Sequence, residues 1–352
     1  MTTMSPKKLG FFTRLLDETT AAERYRLATE QIVHAERCGF DSAWIAQHHF
    51  HEGEGGLPAP FVFLAQAAVQ TSRIRLGTGI VTLPLELPVR VAEDAAVTDL
   101  ISGGRLEVGV GPGGNLTAFT AFGLDASDRH KLMNGNLELM RTAWGGGALP
   151  GGDKLYPASP TLVDRIWQAT FSVEGARRAG LAGDGLMLSR TQPRSPDAPK
   201  ALLSDIQNPM IDAYLEALPK GREPRILASR TVFVADDTKE AMRLAEIGAT
   251  RMRHRLAATG NLSSGSLVGD LMAAFDVHLG TPEQVVASLQ ADDTLRRATD
   301  LTMQVHSIDP PHPFILRSIE LMAEQVAPAL GWMRNDSAEG NDVRRHRHAG
   351  RH

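Results

Sequence analysis

One feature constrains this chain more than any other: eight short apolar runs, each followed by a stretch with helical spacing. The runs are Lys8–Thr13, Asp41–Ala46, Ile74–Leu83, Arg105–Gly111, Arg165–Thr170, Asp184–Ser189, Arg225–Ala235 and Asp300–His306. In the first helical stretch, Ala21–Cys38, apolar positions recur at Tyr25, Ala28, Ile32 and Ala35, and Gly39 stands where a helix stops. Further helices are expected at Phe61–Gln70, Pro88–Ile101, Arg129–Trp144, Ser172–Gly180, Gln207–Leu218, Thr238–Arg255, Pro282–Ala291 and Pro313–Ala327. Strands apolar along their whole length are buried on both faces, which points to a parallel sheet covered by helices. Such alternation fits an open doubly wound sheet or a closed barrel. Eight units without a hairpin turn favour the (β/α)8 TIM barrel. The Gly- and Pro-rich stretch Gly145–Pro160 and the patternless Leu256–Val277 read as insertions after strands four and seven. The barrel is expected over residues 1–332, with 333–352 a disordered polar tail.

Composition narrows the function classes. A net charge of -4 argues against a nucleic-acid binder, which would carry a basic face. Cys38 is the single cysteine, so no intrachain disulfide forms and a reducing compartment suits the chain. No run approaches the ~18 apolar residues of a membrane helix, and the start lacks a secretory apolar segment. A cytoplasmic protein is expected.

The working face of such a barrel is the C-terminal end of its strands. His48, His49 and His51 follow strand two there, with Arg14 after strand one and the run GPGGN (Gly111–Asn115) after strand four. Ser172, Arg190 and His306 follow strands five, six and eight. A metal centre would need ligands converging from several strands. Here three imidazoles leave one loop, two of them adjacent, so no metal site is expected. His51 reads as a plain loop residue. His48 or His49 could serve chemistry or simply hydrogen-bond a carbonyl and pack the barrel top. Ser172 opens a helix, where a hydroxyl caps the first turn or joins its free N–H groups in holding an anion. VGVGPGG looks like a dinucleotide fingerprint, but it follows the fourth strand and opens no helix directly, so that reading fails.

Taken in order, these stretches resemble the bacterial luciferase-like flavin monooxygenases over roughly Lys8 to Trp332. GFDSAWIAQHHF is similar to that family's GFD-xx-W-xx-EHHF. LGTGIVTLPLELPVRVAEDAAVTDLISGGRLEVGVGPG resembles its long third-to-fourth-strand segment. SVEGARRAGLAGDG resembles the stretch carrying a phosphate-binding serine, and GTPEQV its late loop. The resemblance implies a homodimeric barrel using reduced FMN, supplied by a flavin reductase, which reacts with O2 through a C4a-peroxyflavin. The deazaflavin F420, moving a hydride, is the alternative cofactor in the same fold, and a flavin-binding protein without turnover is another reading. By resemblance, His48 and His49 are the catalytic pair, and Gly79–Ile80 is a cis peptide behind the flavin ring. Ser172, Val173, Gly175 and Ala176 form the phosphate turn, with Gly111 and Gly113 lining the flavin site. Arg129 or His130 stands in for a phosphate-contacting arginine, because Gly111 and Pro112 occupy the place of the family's cysteine and arginine. Two further departures are Gln47, where the family has Glu beside the histidines, and Leu87, where it has His. The substrate pocket is expected to draw on Phe11, Phe12, Arg14, Arg190, Arg230 and His306, and Leu256–Val277 is expected to be a lid.

Overall fold

In a computed structural model that describes residues 6–198, 201–258 and 276–332, the side chains of 253–258 excepted, the apolar runs close into a ring. The strands are β1 (Lys8–Thr13), β2 (Ser42–Ile45), β3 (Arg75–Thr78), β4 (Val81–Thr82), β5 (Leu106–Gly111), β6 (Ile166–Ala169), β7 (Gly185–Leu188), β8 (Ile226–Val234), β9 (Val277–Gly280) and β10 (Asp300–Gln304). Pairing runs β1-β2-β3-β5-β6-β7-β8-β10 and back to β1, parallel throughout. Lys8 lies beside Asp300, and Asp300 in turn beside Leu227, so β10 closes the ring. The expected TIM barrel is therefore present. The long third run is split by Gly79–Ile80 into β3 and β4, both of which pair with β5.

Four elements depart from expectation. Strand β9, placed in no strand by the sequence pattern, pairs with Thr231–Val234 at the far end of β8 and lies outside the ring. Most of the expected lid, 259–275, falls outside the described residues, as does the expected tail 333–352. Short helices Thr117–Ala121 and Asp293–Arg297 also escaped the pattern, being barely longer than a turn. The helix expected from Gln207 begins at Leu203. Among the described residues no helix is long and apolar enough to cross a membrane.

The main core lies between the strands and the helices around them, with Leu9, Phe11, Ile45, Leu76, Val108, Ile166 and Leu301 facing outward into it. A second cluster fills the barrel itself: Trp44, Trp167, Met187 and Leu227, with Phe12, Ile80 and Ala169 packed on it. The tryptophans meet edge to face at 5.6 Å. They fit because the neighbouring strand offers glycine: a Cβ on Gly77 would lie 2.2 Å from the Trp44 ring, and one on Gly185 2.2 Å from Trp167. Burial of rings this size stabilises the fold by roughly 4–6 kcal/mol each.

Strand alternation corrects two expected pocket residues. Phe12 faces the barrel interior, so Phe11 next to it faces outward and is buried in the main core. Likewise Leu227 and Ser229 point inward, which turns Arg230 out. Its guanidinium is fully buried, bonding Asp292 at 2.6 Å and Gln207 at 2.8 Å.

Candidate active site

At the C-terminal end of the strands two lobes open side by side, of about 540 and 490 Å3. Phe12, Gly79, Ile80, Gly113, Gly114, Leu116, Ser189 and Gln304 line both, so they form one cleft with a shared wall.

The first lobe is built by the loop after β2. His48 is held through its backbone N–H, which donates to Leu57 O at 3.0 Å, and Gly55 packs on its ring so closely that a Cβ would sit 2.6 Å away. Burial and the nearby charges of Arg14, His306 and His49 pull His48 down to about 3, so its imidazole is neutral at pH 7. His49 turns its ring edge-on to Phe122 at 5.0 Å, and its buried Nε2 has no partner among the described residues. Burial lowers its pKa as well. His51 is exposed on the loop and lines neither lobe.

Gln47 has its own task. Its amide donates to Pro58 O and to Glu86 Oε1 (2.6 Å), while its carbonyl accepts from Thr82 N at 2.7 Å. A glutamate could not make both kinds of bond and would stand against Glu86, whose pKa burial already raises. The carboxylate nearest His48 comes instead from Glu54, a residue that sequence reasoning passed over: its Oε2 lies 4.0 Å from His48 Nδ1 and accepts from Asn115 Nδ2 at 2.8 Å. The Glu54 carbonyl accepts from Arg14 Nε at 2.9 Å, tying β1 to this loop. A glutamate six residues past a histidine gives no periodic signal in a loop. Only the fold brings it back.

At the shared wall the Gly79–Ile80 peptide is cis, as the family resemblance implied. A Cβ on Gly79 would come 2.5 Å from the Phe12 ring, and one on Gly111 3.0 Å from Ile80 Cδ1. Beneath, Gln304 Nε2 donates to Ser229 Oγ at 2.8 Å, and Gln304 Oε1 and Thr302 Oγ1 are buried without partners among the described residues.

The second lobe ends at the helix Val173–Leu181. Ser172 is its N-cap, its Oγ accepting from Gly175 N at 3.1 Å. Thr170 Oγ1 accepts from Ser172 N, and only glycine fits at 175, since a Cβ would meet Thr170 Oγ1 at 2.0 Å. Thr170, Ser172, Arg129 and His130 line this end. Arg129 and Arg178 add to burial in lowering His130. Val173 and Gly175 do not line the cavity; Val173 is half-exposed, and the Gly175 amide is already given to Ser172.

Of the remaining expected residues, Phe12, Arg14 and Arg190 line the cleft. His306 does not. It is buried behind the first lobe, its Nδ1 paired with Asp309 at 2.7 Å, and burial draws it to about 4 against the pull of that carboxylate.

The model of luciferase-like monooxygenases matches residues 9–297. Over 322 residues the chain is 26% identical to limonene 1,2-monooxygenase of Rhodococcus erythropolis, covering 85% of this chain and 80% of that one. The crystal structure of the monooxygenase RslO1 from Streptomyces bottropensis superposes with a TM-score of 0.71 at 26% identity, over 92% of this chain and 99% of that chain. The oxygenating constituent of 3,6-diketocamphane monooxygenase from Pseudomonas putida, solved with FMN, shares the fold at a TM-score of 0.69 and 21% identity, over 92% and 98% of the two chains. The two-lobed cleft at the strand ends thus sits on a shared framework, and the chain belongs to the luciferase-like monooxygenase family.

Proposed function

We propose that this protein is the oxygenase of a flavin-dependent monooxygenase, working on reduced FMN delivered by a separate reductase. One observation carries the reading: a single cleft joins an apolar wall of Phe12, Gly79 and Ile80 to a capped helix N-terminus at Ser172, with Arg129 and His130 lining the same end. An isoalloxazine suits the first, and a phosphate suits the second. The unpartnered Gln304 Oε1 and Thr302 Oγ1 are polar groups that a flavin ring edge would satisfy. Reduced FMN, when bound, supplies the electrons that activate O2. The chain's part is to orient that ring and to place His48 beside the reacting centre. With its pKa near 3, His48 stays uncharged across the neutral range, so it acts as a hydrogen-bond donor rather than as a base that retains a proton.

Anaerobic titration with reduced FMN, followed by rapid mixing with oxygenated buffer, tests this. Tight binding and an oxygen-dependent transient absorbance are expected. If reduced FMN does not bind while reduced F420 does, the hydride-transfer reading of the same fold replaces this one.

A further inference from the structure

Arg190 lies two residues past the end of β7, is 4% exposed and lines the lobe that holds His48. Among the described residues it makes no hydrogen bond or ion pair, and its Nη1 is enclosed without a partner. The acids near it are engaged elsewhere: Asp276 bonds Arg194 at 2.6 Å, and Asp309 bonds His306 at 2.7 Å. Glu54, the carboxylate that lines the same lobe, is bonded to Asn115. Burial first, and then the charge of Arg14, draw the Arg190 guanidinium down to about 9. A fold rarely buries an unpaired cation, because desolvation is repaid only by an opposite charge in good geometry.

We propose that the first lobe takes a substrate bearing a carboxylate, which Arg190 grips through its guanidinium fork. The planar fork matches a carboxylate in two parallel hydrogen bonds, and it does so most strongly where water is excluded. At about 540 Å3 the lobe holds a carboxylate on a ring or short chain beside His48 and the shared wall. This assignment rests on the cleft being a flavin oxygenase site, and it adds the class of substrate.

The test uses the full-length protein and calorimetry with benzoate and hexanoate against benzamide and hexanamide. Both acids should bind, and the amides at least about 30-fold more weakly. Arg190→Met should lose acid binding by a similar factor, with Arg190→Lys in between. Without ligand, Arg190→Met should melt no lower than the wild type, since it removes a buried charge that has no partner among the described residues. The proposal is overturned if acids and amides bind alike, if neither acid binds, or if Arg190→Met melts lower and keeps acid binding. It is overturned as well if Arg190→Met spares acid binding and weakens reduced FMN, which would assign Arg190 to the flavin. Titrating reduced FMN into the same samples separates the two readings. FMN binding without acid binding removes only the carboxylate site, and acid binding without FMN removes only the flavin assignment.

Discussion

Replacing His48 with Gln should make the protein less sensitive to acid. In the folded state this imidazole is held near 3 by burial and by neighbouring cations, whereas in the unfolded chain it titrates near 6.5. Between those values the unfolded state binds a proton that the native state does not, so stability rises with pH and is lost as pH falls below about 6.5. From pH 7.5 to pH 4.5 the loss from this one group is roughly 3 kcal/mol. Other groups shift over the same range. Burial raises Asp17 and Asp300, for example, and these act in the opposite direction. The informative quantity is therefore the difference between wild type and variant. Urea unfolding of both at the two pH values should show the wild type losing roughly 3 kcal/mol more than His48→Gln. Equal losses would refute the argument. A larger loss in the variant would mean that Glu54, 4.0 Å away, holds His48 protonated.

Three further outcomes follow from the same geometry. Ser172→Ala should weaken FMN roughly 10- to 100-fold through a lost hydrogen bond to a charged group while leaving riboflavin affinity unchanged, as measured by fluorescence titration; equal losses for both would place Ser172 away from the phosphate. Gly79→Ala, whose Cβ meets the Phe12 ring at 2.5 Å, should weaken reduced FMN while far-UV circular dichroism stays that of wild type. Asp292→Asn strips the buried Arg230 of its counter-charge and should destabilise by roughly 3–5 kcal/mol, read as a lowered urea midpoint.

The barrel was legible because each strand is an apolar run ended by a glycine or polar residue, a pattern that survives without knowledge of contacts. β9 was not legible, because four residues with two of them half-buried carry too little periodicity. The errors in the pocket have a sharper cause. Phe11 and Phe12 are consecutive on one strand, so they cannot both face the interior, and Arg230 has the wrong parity against Leu227 and Ser229. Alternation alone would have removed both residues. Glu54 beside His48, and His306 drawn away from the cleft onto Asp309, are different: these depend on loop paths, fixed in the first case by the bond from Arg14 to the Glu54 carbonyl, forty residues on, and in the second by a local bond to Asp309.

The fit of Trp44 over Gly77 and of Trp167 over Gly185 also bears on how such a barrel diverges. Each pair is a lock between neighbouring strands. Adding a methyl to the glycine first drives it into an indole, and shrinking the indole first leaves a void that costs roughly 3–5 kcal/mol. Either single step descends into a fitness valley, and only the double change returns to a filled interior. Across related sequences these four positions should therefore vary as two coupled pairs. A homologue with a side chain at the position of Gly77 should carry a residue smaller than tryptophan at that of Trp44.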